Sequence, residues 1–341
     1  MRFIEVLKGT RHEPLPIWIM RQAGRYLPEY RAIRQTEPDF ISLCLNANKA
    51  SKITLQPIER YGFDASIIFS DILLIPWAMK RNVKFITGTG PSLDKLLSIK
   101  DIEIFGSQNL TDKYKAIGQA IKQTREALPE KTALIGFSGA PWTLLTYLIE
   151  GGSSKNFADT KTFLWQNPNQ TIEIIDILTE KVVEFLIVQA KKGANALMLF
   201  DSWASAVPAS WRPTLIYKPH QKIIERLKQS NINLPIIGFP KGIGEGLIAY
   251  SNTVEVDCIS LDQNTDPYWA NEVLPLSLTI QGNLDPLSLV AGGQQMKDEI
   301  TKTINCFSNR PHIFNLGHGI VPQTPPEHVQ ELVNYVRDIS S

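Results

Sequence analysis

Four arginines, Arg21, Arg25, Arg31 and Arg34, crowd into the span after the apolar stretch "PIWIM" (16–20). A guanidinium is always charged and carries a planar fork of donors. Such groups gathered at a pocket mouth suit carboxylates or phosphates. Arg21 directly ends an apolar run of the kind that makes a buried strand. Gly24 lets the backbone come close to a ligand, which singles out Arg21 and Arg25. Arg31 reads as part of a solvated helix face paired with Glu29 or Glu37, and Arg34 fits either use.

Asp71 lies in "IIFSDILLIPW" (67–77), where a carboxylate is desolvated and needs partners. It is either a helix cap or ion-pair partner for an arginine, or a negative charge held for a cationic or N–H-rich group. His318 lies between Gly317 and Gly319 in "NLGHGI" (315–320), where small flanks leave room for a ligand beside the imidazole. "GFSGAPW" (136–142) supports a rival class. Gly136-x-Ser138-x-Ala140 is a near miss to a nucleophile elbow, and Ser138, Asp201 and His318 follow the order of a hydrolase triad. Against a serine hydrolase, the last glycine is replaced, Pro141 follows at once and no oxyanion loop is evident. The other reading is that Ser138-Gly139 permits close packing of a ligand. Tyr147 then reaches the pocket from a short helix over 142–150, and Trp142 packs in the core.

Other chemistries find no support. The five histidines show no H-x-H or H-E-x-x-H spacing, and Cys44, Cys258 and Cys306 are far apart. Each cysteine reads as a buried reduced hydrophobe, and no metal site is expected. "GTG" (88–90) and "GIGEG" (242–246) are isolated glycine clusters that lack the full dinucleotide fingerprint. A formal net charge of +1 argues against a nucleic-acid coat or a polybasic membrane-surface protein. The first residues lack the apolar core of a signal peptide, and no apolar run nears the ~20 residues of a membrane span. The expectation is a soluble, cytoplasmic protein.

The elements that must position these side chains repeat along the chain. Short continuous apolar runs occur at 16–20, 65–70, 133–139, 196–202, 234–240, 257–262, 277–283 and 312–318. Continuous rather than alternating hydrophobicity suits parallel strands buried on both faces. Helix-period stretches lie between them, among them 110–128 with Thr111 as N-cap, 171–193 ending at Gly193, 211–230, and 325–339 with Pro326 in its first turn. With no linker in view, the pattern predicts one (β/α)₈ TIM barrel over residues 1–341, with a doubly wound open sheet as the alternative. In such a barrel the active site lies at the C-terminal ends of the strands. The residues that close the runs are polar: Arg21, Asp71, Ser138, Asp201-Ser202, Lys241, Asp262, Asn283 and His318.

The stretches "PIWIMRQAGRYLPEYRAIR" (16–34), "SDIL" (70–73), "GAPWTLLTYLIEGG" (139–152), "FDSWA" (200–204), "QGNLDP" (281–286) and "FNLGHGI" (314–320) resemble the uroporphyrinogen decarboxylase family, in order and over essentially the whole chain. The resemblance implies a (β/α)₈ fold and loss of carbon dioxide from the four acetates of uroporphyrinogen III, giving coproporphyrinogen III, without cofactor or metal. It implies a homodimer acting on a small tetrapyrrole. Position by position it implies substrate contacts at Arg21, Gln22, Ala23, Gly24, Arg25, Arg34, Tyr147, Ser202 and His318, with Asp71 as the central aspartate that stabilises the reaction. Arg21, Tyr147 and His318 join Asp71 as candidate catalytic groups. Arg21, Tyr147, His318 or a bound water would deliver the proton. Where bacterial members read F-D-S-W-A-G, this chain has Ser205, a change expected to reshape the loop slightly without touching Ser202. A non-catalytic tetrapyrrole-binding barrel is a further alternative. A methyltransferase branch of the same barrel would need zinc ligands that the sequence does not show.

Overall fold

A computed structural model describes residues 1–86 and 88–340. Among the described residues there are nine strands: β1 (Ala65–Ile67), β2 (Lys84–Ile86), β3 (Gly90–Ser92), β4 (Ala133–Gly139), β5 (Ala196–Asp201), β6 (Ile236–Pro240), β7 (Cys258–Ser260), β8 (Thr279–Gln281) and β9 (His312–Ile313). Seven of them form one curled sheet in the order β1-β4-β5-β6-β7-β8-β9, every pair parallel. β2 and β3 form a separate antiparallel pair. Every residue of β4 and β5 is buried, as expected for continuous apolar strands with helices packed outside them. Chain order equals spatial order, so all seven strands present their carboxyl ends on one rim.

Helices fill the intervals. Pro168–Lys191 packs beside both Pro141–Glu150 and Lys218–Gln229, and Pro326–Ile339 carries Pro326 in its first turn. The stretch 110–128 is a helix, but Thr111 is not its cap. Its hydroxyl donates to Asn109 Oδ1 at 2.6 Å, and a 3₁₀ turn, Thr111–Tyr114, precedes Lys115–Ala127. The stretch 211–230 opens with the π-turn Pro213–Tyr217 before Lys218–Gln229.

The segment 16–20 is not a strand of the ladder. It makes one parallel bridge, Ile17 to Phe314, and Ile17 O accepts the Asp64 N–H at 2.9 Å just before β1. Its own donors go largely to side chains. Ile17 N–H reaches Asp64 Oδ2 at 3.0 Å, Ile19 N–H reaches Gln22 Oε1 at 3.2 Å, and Met20 N–H reaches Asn315 Oδ1 at 2.9 Å. Side-chain acceptors thus replace the strand-to-strand pairing that the apolar run suggests.

Candidate active site

Arg21 leaves the 16–20 segment in the left-handed region, at φ +63°. A non-glycine residue held there costs roughly 1–2 kcal/mol, a conformation that clusters at functional sites. The turn is fixed from both sides. Ile320 N–H donates to Met20 O and Gln22 N–H donates to Ile19 O, each at 2.9 Å. Gln22 is fully buried, and its Nε2 donates to Ala65 O at 3.3 Å. Its side chain therefore ties the segment to β1 rather than facing a ligand. Ala23 and Gly24 have only backbone groups to offer a ligand as hydrogen-bond partners. Gly24 serves the turn itself, since a Cβ there would stand 3.1 Å from Arg21 O. Arg21 and Arg25 are exposed, and no carboxylate among the described residues lies within ion-pair distance of either.

Asp71 is half-buried beyond the end of β1. Its Oδ1 accepts the Leu73 N–H at 2.8 Å, a local turn that starts the helix Leu74–Ala78. No cation stands within ion-pair distance among the described residues. Burial pushes the carboxyl up to about 6, against the pull of the Leu73 N–H and of the Arg21 charge. Tyr147 lies on Pro141–Glu150, half-buried, its ring edge-on to Trp203 at 6.2 Å. Burial raises its phenol, and the charges of Asp71 and Arg21 reach it in opposite senses.

His318 Nδ1 accepts the Gly319 N–H at 2.7 Å. The neutral ring therefore carries its proton on Nε2 and presents a donor. Burial first, then Arg21 and Lys241, holds the ring down to about 3, so it is uncharged at neutral pH. The Arg21 charge thus reaches Asp71, Tyr147 and His318 on one rim. Ser202 follows β5 on that rim, half-buried.

The glycines beside these groups make room for the chain itself. A Cβ on Gly319 would stand 2.7 Å from Arg21 Cγ, and one on Gly317 2.6 Å from Gln263 Cα. The Gly-His-Gly turn lets the Arg21 stem lie against the His318 loop. Likewise a Cβ on Gly139 would meet Ile72 Cβ at 3.0 Å and Leu144 Cδ2 at 3.1 Å, which is protein packing where ligand packing was expected.

Arg31 and Arg34 do not pair with Glu29 or Glu37. Arg31 Nη1 donates to Arg25 O at 2.8 Å and Tyr26 O at 3.1 Å, and Arg34 Nη1 donates to Glu37 O at 3.0 Å. Glu29 pairs with Arg60 and Glu37 with Lys49. The helix Pro28–Arg34 ends at these arginines, and the free carbonyls around it are nearer than the carboxylates. Arg34 is half-buried and is the one of the expected acid-binding arginines committed to a carbonyl.

A serine triad is not assembled. Ser138 is fully buried and its Oγ donates to Gly139 O at 2.9 Å. Asp201 faces elsewhere. Its Oδ1 accepts the Thr143 hydroxyl at 2.6 Å, and its Oδ2 stands 3.4 Å from His220 Nε2, with His220 Nδ1 2.9 Å from the Tyr250 hydroxyl. A fluorophosphonate probe is accordingly expected to leave Ser138 unlabelled, as mass spectrometry of the treated protein would show.

This buried chain of Thr143, Asp201, His220 and Tyr250 was not apparent from sequence, because its members are far apart along the chain. Its relevance is positional. Thr143 also accepts the Trp203 N–H at 3.2 Å, joining the Tyr147 helix to the loop after β5. Thr143→Val leaves the Asp201 carboxylate short of a donor and should cost about 1–3 kcal/mol of stability, read from denaturant midpoints. Trp142 is core as expected, fully buried with Nε1 donating to Trp203 O at 3.0 Å. The three cysteines are free and buried.

Parallel strands in sequential order, with charged and hydrogen-bonding side chains gathered beyond their carboxyl ends, define an α/β protein with a candidate site on that rim. The chain belongs to the uroporphyrinogen decarboxylase (URO-D) family, whose profile matches residues 1–339. It is 41% identical over 337 residues to the uroporphyrinogen decarboxylase of Maricaulis maris, covering 99% of this chain and 97% of the relative. It is 42% identical over 335 residues to that of Rhodospirillum rubrum, covering 98% and 96%. Among solved structures, a methyltransferase from Methanosarcina mazei superimposes with a TM-score of 0.80 at 17% identity, covering 100% of this chain and 98% of that one. A B12-independent methionine synthase from Shewanella gives a TM-score of 0.60 at 10% identity, covering 98% of each chain. At these identities the likeness is one of fold. No group of three or more His, Cys, Asp and Glu side chains that could hold a metal ion occurs among the described residues.

Proposed function

We propose that this protein is a decarboxylase of porphyrin biosynthesis, converting the four acetates of uroporphyrinogen III to methyl groups and giving coproporphyrinogen III. The observation that carries the reading is chain-long family membership together with a half-buried carboxylate, Asp71, that has no cation within ion-pair distance among the described residues and whose charge reaches Tyr147. The macrocycle has pyrrole N–H groups at its centre and carboxylates at its edge. Asp71 Oδ2 is the acceptor for the N–H groups. Arg21 and Arg25 hold edge carboxylates, with Arg34 at the margin, and Tyr147, Ser202 and His318 Nε2 donate hydrogen bonds.

Loss of carbon dioxide from a pyrrole acetate needs an electron sink, and a protonated pyrrole carbon provides one. A fixed anion beneath that cation lowers the barrier electrostatically. Three of the alternatives for the proton donor are weak acids at neutral pH. Arg21 is a guanidinium, Tyr147 is raised by burial, and His318 is already neutral. The remaining alternative is a solvent proton, handed to the pyrrole carbon through a water at the rim and replaced from bulk solvent. Counting carbon dioxide from acetate-labelled uroporphyrinogen under anaerobic conditions tests the reaction. Four equivalents per macrocycle are expected, and binding without release would favour a non-catalytic tetrapyrrole-binding protein.

The bonds of Ile17 to Phe314 and Asp64 support reading 16–20 as an eighth stave that closes the sheet into a single barrel domain over 1–341. The family resemblance further suggests a cytoplasmic homodimer, and no helix among the described residues is long and apolar enough to cross a membrane. Sedimentation equilibrium at twice the monomer mass is the expected result.

A further inference from the structure

Lys241 closes β6 on the same rim and is held with unusual firmness for a loop residue. Its N–H approaches Asp201 O and Phe239 O, each at 3.1 Å, and its carbonyl accepts the Ser205 N–H at 3.1 Å. The next N–H, from Gly242, donates at 2.8 Å to Oδ2 of the buried Asp262. Asp262 is itself fixed, its Oδ1 accepting the Asn264 N–H at 2.9 Å. Gly242 has φ +73°, and a Cβ there would stand 2.9 Å from Ser205 Cβ, so the turn is packed as well as bonded. Ser205, the residue that departs from the family pattern, therefore supports the lysine from behind.

The side chain is the opposite case. It is half-buried, and no carboxylate among the described residues lies within ion-pair distance of its ammonium. Nζ stands 5.8 Å from the centre of the Trp203 ring, which orients the charge without neutralising it. Lys241 and Arg21 are the two cations whose charge reaches His318. They come from opposite sides. β6 is the middle strand of seven, whereas the 16–20 segment bonds near both outer ones, β1 and β9.

We propose that Lys241 is a second carboxylate-binding post, gripping an edge carboxylate of the substrate across the rim from Arg21. A cation on a rigid turn with no carboxylate partner among the described residues is preorganised for an anion from outside. A flexible polyacid held at two opposed edges is fixed in orientation over the rim. This inference builds on the decarboxylase reading.

The test compares wild type, Lys241→Met and Lys241→Arg with uroporphyrinogen. Methionine keeps an unbranched stem over Trp203 and removes the charge. KM is expected to rise about tenfold in Lys241→Met, equal to about 1.4 kcal/mol, with kcat changed less than about twofold. The dependence of KM on salt should weaken, and Lys241→Arg should restore most of the loss. A Lys241→Met enzyme with wild-type KM and wild-type salt dependence overturns the proposal. So does a loss that tracks a fall in thermal midpoint and is not rescued by arginine, the result for a lysine that only props Trp203. Wild type without turnover would instead overturn the decarboxylase reading, which keeps the two failures apart.

Discussion

Asp71→Asn is expected to fold normally and to lose about 10²–10³-fold in kcat, the usual loss when one preorganised electrostatic group is removed from a reacting centre. Asparagine retains Oδ1, so the bond from the Leu73 N–H that shapes the turn survives. Only the negative charge is lost. The same substitution should stabilise the protein at neutral pH. The Asp71 carboxyl is raised from 3.8 to about 6 in the fold, chiefly by burial, so the folded state binds its proton more tightly than the unfolded chain. Its contribution to stability is complete below pH 3.8 and is lost as pH rises through 6. The ionised group thus carries a penalty at pH 7 of at most about 3 kcal/mol. Denaturation of both proteins at pH 4 and pH 7.5 should show Asp71→Asn ahead at the higher pH only. In wild type, kcat/KM should fall on the acid side with a midpoint near 6 as the anion is protonated. The residual activity of the variant should lack that limb. Equal kcat values, or an acid limb kept by the variant, would remove Asp71 from the reaction.

The second large effect concerns Arg21. Its backbone sits at φ +63°, where glycine is at ease and arginine is strained. Arg21→Gly should therefore leave stability level or raise it by up to about 1 kcal/mol. It should also lower kcat/KM by about 10²-fold or more, since a charge-assisted bidentate contact is lost. Better folding with poorer turnover separates a binding role from a structural one, because a residue kept for the fold would give losses in both. Gly319→Ala tests the same geometry without touching the charge. A methyl 2.7 Å from Arg21 Cγ must displace the stem, so KM should rise while the guanidinium remains present. Wild-type kinetics in Arg21→Gly would contradict the assignment.

Much of the fold was legible because buried parallel strands leave continuous apolar runs. β4 spans the predicted residues 133–139, and β5 differs only in lacking Ser202. The expectation overran where side chains compete with the ladder. Only His312–Ile313 of the run 312–318 is strand, since Asn315 Oδ1 takes the N–H groups of Met20 and Leu316. The segment 16–20 fell short of a strand for the same reason, with Asp64, Gln22 and Asn315 as distant acceptors that no local pattern reveals.

The candidate site was legible where a polar residue closes an apolar run, which marked Arg21, Asp71 and His318 as candidates. Direction was not legible. Gln22 and Ser138 stand in the same motifs yet point inward, and the glycines beside His318 accommodate the chain's own atoms. Asp201 closes a strand like the others, but turns to Thr143 and His220. Lys241 stands out because no carboxylate among the described residues pairs with it, a property of the folded surroundings that sequence spacing does not carry.

The most direct measurement is chromatography of the oxidised products after anaerobic incubation of uroporphyrinogen III with wild type and Asp71→Asn side by side at pH 7.5. Wild type should convert the substrate through successive loss of carboxyl groups to coproporphyrinogen, while Asp71→Asn leaves nearly all of it untouched over the same interval. Unchanged substrate with wild type, or matching product ladders from both proteins, would contradict the account.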